Sequence, residues 1–150
     1  MEIRKIVIAT DGSPSSAAAL DLGLEIAVDR GAAAVVLHVI GTREAGHIFG
    51  ADRTDPPTQE ELIAGSEALA QGARFAAGHV VEVQLELVAA DGTQETADAI
   101  LGVAAGHDAD LIVMGTRGQG PLATAVIGSV SNAVLRAAST TVVVVRAPGH

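Results

Sequence analysis

Five short apolar runs are separated by stretches whose apolar residues recur at helical spacing, and this alternation constrains the chain more than any other feature. The runs are Ile6-Val7-Ile8-Ala9, Val35-Val36-Leu37-His38-Val39-Ile40, a segment carrying Val83, Leu85 and Leu87, then Leu111-Ile112-Val113-Met114, and the valines 142–145. Strands covered on both faces read as continuous apolar runs, and strands alternating with helices read as βαβ units around a parallel sheet. Right-handed crossovers then place helices on both faces, so the expected fold is α/β, a three-layer sandwich with a five-stranded parallel sheet. A chain of 150 residues holds about one core of this kind, so a single domain over 1–150 is expected.

Local signals refine the pattern. After the first run, Asp11-Gly12-Ser13-Pro14 offers Ser13 as a helix cap and Pro14 for the first turn. Ala17, Leu20, Leu24 and Val28 are expected to form the inner stripe, and Gly31 to close the helix. Residues 41–57, rich in Gly, Pro and charge, read as one long surface loop. Thr58 and Glu61 make a capping box for a single second helix with Leu62, Ser66, Leu69 and Ala73 inward. The third strand alternates apolar and polar residues and is expected at a sheet edge. Ala97, Ile100, Leu101 and Ala104 mark a third helix ending around Gly106, and Val130, Ala133, Val134 and Ala137 the inner face of the last.

Charge removes several functions. Nine Lys and Arg against eighteen Asp and Glu give 9 − 18 = −9, a field that argues against nucleic acid or an anionic membrane as partner. Any bound anion must use a local site. The absence of cysteine removes disulfides, thiolate catalysis and Cys-based zinc sites, and fits a cytoplasmic location. No two of the five His residues stand at i,i+3 or i,i+4, the separations that would put two metal ligands on one helical face. The first apolar run is too short for a signal-peptide core, and no stretch approaches the roughly 18 apolar residues of a membrane span. With no Trp or Tyr, a cofactor must be held by backbone and small side chains.

In an open parallel sheet, ligands bind beyond the carboxyl ends of the strands where the winding direction reverses, which directs attention to the loops after strands one and four. The second of these reads Met114-Gly115-Thr116-Arg117-Gly118-Gln119-Gly120-Pro121 and continues to Gly128-Ser129-Val130-Ser131. Gly115 and Gly118 let main chain approach a ligand and let N–H groups converge on an anion. Gly128 and Ser129 open a helix whose positive end favours phosphate, Ser129 and Ser131 add hydroxyl donors, and Arg117 adds a cation from its charge alone.

The spacing Gly115-x2-Gly118-x9-Gly128-Ser129, with Thr10-Asp11 after strand one, resembles the nucleotide-binding signature of the universal stress protein family. The resemblance runs the length of the chain, from IVIATDGSPSS through LHVI and DLIVMGTRG to GSVSNAVLRAAS and the terminal valines. It implies the adenine nucleotide α-hydrolase-like, Rossmann-like fold with strand order 3-2-1-4-5, and a stress-response regulator that binds ATP, with Mg²⁺, or AMP. By the same resemblance Ala9, Thr10 and Asp11 line the ribose and metal side, with Asp11 beside the nucleotide's Mg²⁺. Val39 and Met114 flank adenine, while Gly115, Gly118, Gly128, Ser129, Val130 and Ser131 hold ribose and phosphates. It also implies a homodimer, which antiparallel pairing of strand 142–146 would form while covering an exposed apolar edge. One departure is Thr141, where the family usually has proline, which leaves the turn before the last strand open.

Other readings are weaker. Gly118-x-Gly120-x-x-Ala123 matches a dinucleotide fingerprint but follows strand four, without an acidic residue about 20 positions on. No P-loop is present, and Asp11 and Asp91 lack the acidic cluster of a phosphate receiver. Asp11 could serve only as a turn cap and Ser129 or Ser131 only as helix caps. No nucleophile has a base nearby in sequence, so at most slow ATP hydrolysis is expected. A metal-dependent ATPase using Asp11 and a dimeric interaction module with an unused pocket are the alternatives.

Overall fold

The five apolar runs form the strands of one parallel sheet in a computed structural model that describes residues 1–116 and 128–147. These are β1 (Lys5–Thr10), β2 (Ala33–Ile40), β3 (Val83–Ala89), β4 (Leu111–Gly115) and β5 (Thr141–Val145), in the order β3-β2-β1-β4-β5. Alternate residues of the central strands feed two cores. Ile6, Ile8, Val36 and Val113 face α1 (Pro14–Arg30) and α4 (Glu67–Gly78), whereas Val7, Val35, Leu37 and Ile112 face α5 (Thr93–Gly106) and α6 (Ser129–Ala137). Burying each such side chain stabilises the fold by about 1.5–3 kcal/mol, which is why these strands carry no polar alternation.

Helix α1 starts and stops where the sequence indicates. Ser13 accepts from the Ser16 N–H, Pro14 occupies the first turn, and Gly31 takes the left-handed conformation with φ 66°. Its inner face is rotated from the expected one: Ala19, Leu20, Gly23, Leu24 and Ala27 are buried, Val28 is half-buried and Ala17 is exposed. Gly23 sets that rotation, because a Cβ there would stand 2.6 Å from Ile8 Cδ1, so α1 lies against β1 along its glycine.

The expected long loop over 41–57 contains a helix, α2 (Thr42–Phe49). It buries no residue, so its sequence shows no inward stripe. Its start is held from a distance instead: the Thr42 N–H and hydroxyl donate to the two Asp91 carboxylate oxygens at 3.1 and 2.5 Å. Those bonds hold the Asp91 carboxyl below its usual titration range.

The expected single second helix is two, α3 (Gln59–Gly65) and α4, broken at Ser66. The Thr58–Glu61 capping box is present, and Ser66, extended at φ −141° and ψ 115°, ends α3 and caps α4 through the Leu69 N–H. Gly65 lets α2 approach the joint, since a Cβ there would come within 2.7 Å of Ile48 and Phe49. In α6 Val134 is buried, Val130 and Ala133 are half-buried against the same core, Ser131 is buried beside them, and Ala137 is exposed. Strand β3 lies at one edge of the sheet and β5 at the other. The turn that Thr141 left open is closed by its neighbour Thr140, whose hydroxyl donates to the Ala109 carbonyl at 3.2 Å. Among the described residues, no helix is long and apolar enough to cross a membrane.

Candidate functional site

Parallel strands present their carboxyl ends at one side of the sheet, and there the staggered lengths of β1, β2 and β4 leave a cavity of about 250 Å³. From β1 come Ala9 and Thr10, with Asp11 following, from β2 Val39, and from β4 Met114 and Gly115. The head of α6 supplies Gly128, Ser129, Val130 and Ser131. These residues, separated by more than a hundred positions in sequence, line one space. Arg117 and Gly118 lie outside the described residues. Four lining residues carried no signal in the sequence: Ser16 at the start of α1, Thr116, and Thr96 and Ile100 on the wall made by α5. A ligand-facing helix flank has the same spacing as a core-facing one, and Ile100 serves as both.

The register gives Val39 its importance. The β1–β2 ladder ends at Thr10 opposite His38, while β2 continues against β3 to Ile40 opposite Ala89. The Ala33 N–H donates to the Arg4 carbonyl, so odd-numbered residues of β2 turn their peptide groups toward β1. The Val39 carbonyl therefore points to the β1 side past the last rung, as an acceptor at the rim of an apolar slot formed by Ala9, Val39, Ile100 and Met114.

At the opposite wall, α6 begins at Gly128 and α5 at Gly92, neither with a side-chain cap. Uncapped first-turn N–H groups and the positive ends of two helix dipoles favour an anion there. The hydroxyls of Thr93 and Ser129 stand 3.3 Å apart across the two helix starts.

Several side chains also have structural tasks. The Ser131 hydroxyl donates to the Thr116 carbonyl at 2.8 Å and sits 3.1 Å from that of Gly128, and the Gly128 N–H also donates to Thr116. Ser131 thus fastens together the chain on either side of 117–127. Thr10 likewise donates its hydroxyl to the Leu37 carbonyl at 3.1 Å. The exposed Asp11 accepts the Ser13 N–H at 2.9 Å, the turn-capping role that was its simpler reading. Gly115 is required by the protein itself: a Cβ would lie 2.5 Å from Ser15 Oγ and 2.7 Å from the Ser15 carbonyl carbon, where β4 meets the first turn of α1.

Among the described residues no group of three His, Asp or Glu side chains is placed to hold a metal. Among the described residues Asp11 is the lone carboxylate lining the cavity, so its surroundings fit a divalent ion carried by phosphate oxygens and water better than one held by protein alone.

Comparisons with known proteins agree with this architecture. A profile of the universal stress protein family matches residues 2–146. The universal stress protein YxiE of Bacillus subtilis (strain 168) is 31% identical over 150 residues, covering 95% of this chain and 98% of that protein. A universal stress protein solved in complex with cAMP superposes with a TM-score of 0.67 at 24% identity, covering 99% of this chain and 100% of the other. One from Archaeoglobus fulgidus in complex with dAMP superposes at 0.61 and 22% identity, covering 97% and 100%. The matched profile, the bacterial relative and the shared β3-β2-β1-β4-β5 sheet agree, and this chain belongs to the universal stress protein family.

Proposed function

We propose that this protein is a nucleotide-binding regulator of the stress response that holds an adenine nucleotide, ATP with Mg²⁺ or AMP, in the cavity at the carboxyl ends of β1, β2 and β4. The observation that carries this reading is the Val39 carbonyl beyond the last β1–β2 rung, aimed at an apolar slot. Adenine offers an exocyclic N–H donor to such an acceptor, whereas guanine puts a carbonyl in the equivalent place and would leave the two oxygens opposed. The apolar walls take the flat base, and the uncapped start of α6, some of whose lining residues are Gly128 and Ser129, takes phosphate. That relatives were solved with cAMP and with dAMP supports an adenylate as the ligand class. When bound with ATP, Mg²⁺ would screen phosphate charge, and Asp11 is the carboxylate positioned to orient its water shell.

Main-chain donors and apolar walls hold a ground state well, and binding of that uniform kind does not lower a reaction barrier. The role that follows is a switch in which occupancy changes the surface at the heads of α5 and α6. Heating the purified protein, identifying released nucleotide by chromatography and titrating the emptied protein calorimetrically tests this. Adenine nucleotides are expected to bind at least about tenfold more tightly than guanine nucleotides, a difference of about 1.4 kcal/mol. Equal affinity for the two bases, or none for ATP and AMP at millimolar concentration, overturns the reading.

A further inference from the structure

A second cavity, of about 520 Å³, opens between α2 and the joint of α3 and α4 and meets the first at Asp11 and Val39, which line both. His38 extends from β2 toward that joint, and its Nδ1 stands 2.7 Å from Ser66 Oγ. Twenty-eight positions separate the two in sequence, so no spacing rule pairs them. Ser66 is 3% exposed but lines the cavity, and its hydroxyl oxygen accepts the Leu69 N–H at 3.2 Å as the cap of α4. An oxygen already accepting from the helix directs its own proton to the remaining partner, the imidazole. Burial pushes the His38 pKa down against the opposing pull of Asp11 and Glu44, which keeps the ring neutral and able to take a proton at pH 7.

The cavity's charge narrows what would enter it. Asp11, Glu44 and Glu67 line it, and no Lys or Arg does among the described residues. Glu67 also pairs with Arg74 at 2.6 Å on the surface, whereas Asp11 and Glu44 have no cationic pair among the described residues. A substrate carrying an ammonium group matches this rim. The first-turn N–H groups of the 12-residue α4, at Glu67 and Ala68, have no partner within the helix and border the same space.

We propose that Ser66 and His38 are a nucleophile and its base, and that this second cavity hydrolyses small esters bearing an ammonium group. Ser66 Oγ bonds to the ester carbonyl carbon while its proton passes to His38 Nδ1. The displaced carbonyl electron pair rests on oxygen, facing the head of α4. As the carbonyl re-forms, the ester C–O bond breaks and the leaving alcohol takes the proton from His38. Water then repeats the sequence on the acyl-serine, releasing the acid and restoring Ser66, so ester and water give acid and alcohol with no other reactant.

The test uses the full chain, a fluorophosphonate that labels activated serines, and the p-nitrophenyl esters of glycine and of acetic acid. A single adduct is expected, mapped by mass spectrometry to Ser66, with the glycine ester accelerated over its uncatalysed rate by a larger factor than the acetate. His38→Gln is expected to slow glycine-ester hydrolysis by roughly 10²-fold, the usual contribution of a positioned base. Because Ser66→Ala would also remove a helix cap, Ser66→Asn is the deciding variant: it keeps a capping side chain, and with it the fold and ATP binding in the first cavity, while removing the nucleophile. Absence of an adduct on Ser66 overturns the proposal. Wild-type hydrolysis by Ser66→Asn does so equally, and His38–Ser66 is then only a tether between β2 and the α3–α4 joint.

Discussion

Small residues in this protein are chosen by their nearest neighbours as much as by any ligand. Gly115 shows this most directly, because the atoms a Cβ would strike include the main chain of Ser15 and Ser16, which cannot swing aside. Gly115→Ala should therefore cost roughly 1–3 kcal/mol of stability, lowering Tm by about 2–4 °C per kcal/mol in calorimetry. An unchanged Tm would show that the end of β4 yields more easily than its packing implies. Asp11 invites a cleaner experiment because it is exposed and the one described bond of its carboxylate is local. Asp11→Asn keeps an acceptor for the Ser13 N–H but loses the charge, so titrations should show weaker ATP binding with Mg²⁺ present and unaltered AMP binding. Caps and turn residues such as Ser13, Pro14 and Gly31 are legible in the sequence because their partners lie within four residues. His38–Ser66 and Thr42–Asp91 are not, because each joins separate elements.

Elements were legible to the extent that they bury a face. Strands β1 to β4 and α1, α5 and α6 carry buried apolar residues, β5 carries half-buried valines packed against both cores, and each follows from its pattern; α2 buries none and was read as loop. The break at Ser66 escaped for a different reason: Leu62, Ser66 and Leu69 are all buried, so the stripe runs on through a joint that only the backbone reveals. The start of α3 offers a pH test. Arg53 forms a two-pronged pair with Glu61, which together with the bonds from Thr58 holds the Glu61 carboxyl down at about 2. A carboxylate with a depressed folded-state pKa contributes stability that is fully present above its ordinary value of 4.5 and is lost as pH falls toward 2. In acid titrations followed by circular dichroism, the stability difference between the protein and Glu61→Gln should be constant above pH 5 and shrink below it. Because the pair is exposed, the difference should also fall with added salt. A difference that stays constant down to about pH 2 would assign the effect of Glu61 to packing.

For the whole molecule, the open question is what covers β5. Its residues from Val142 to Val145 are only half-buried, and among the described residues it forms a sheet edge whose outward peptide groups have no strand partner. The Thr116 N–H donates to the Val145 carbonyl, so odd-numbered residues of β5 turn their peptides toward β4 and Val142 and Val144 turn theirs outward. An antiparallel second copy would satisfy those outward groups and bury valines of both chains, joining the two sheets about a twofold axis. This arrangement predicts a species of twice the 15.0 kDa chain mass in sedimentation equilibrium. Val144→Pro removes one outward N–H without touching the β4 ladder, and should shift the equilibrium to monomer at micromolar concentration. A wild-type protein that sediments as a monomer would mean that the valine edge is tolerated in water, its short length alone limiting association.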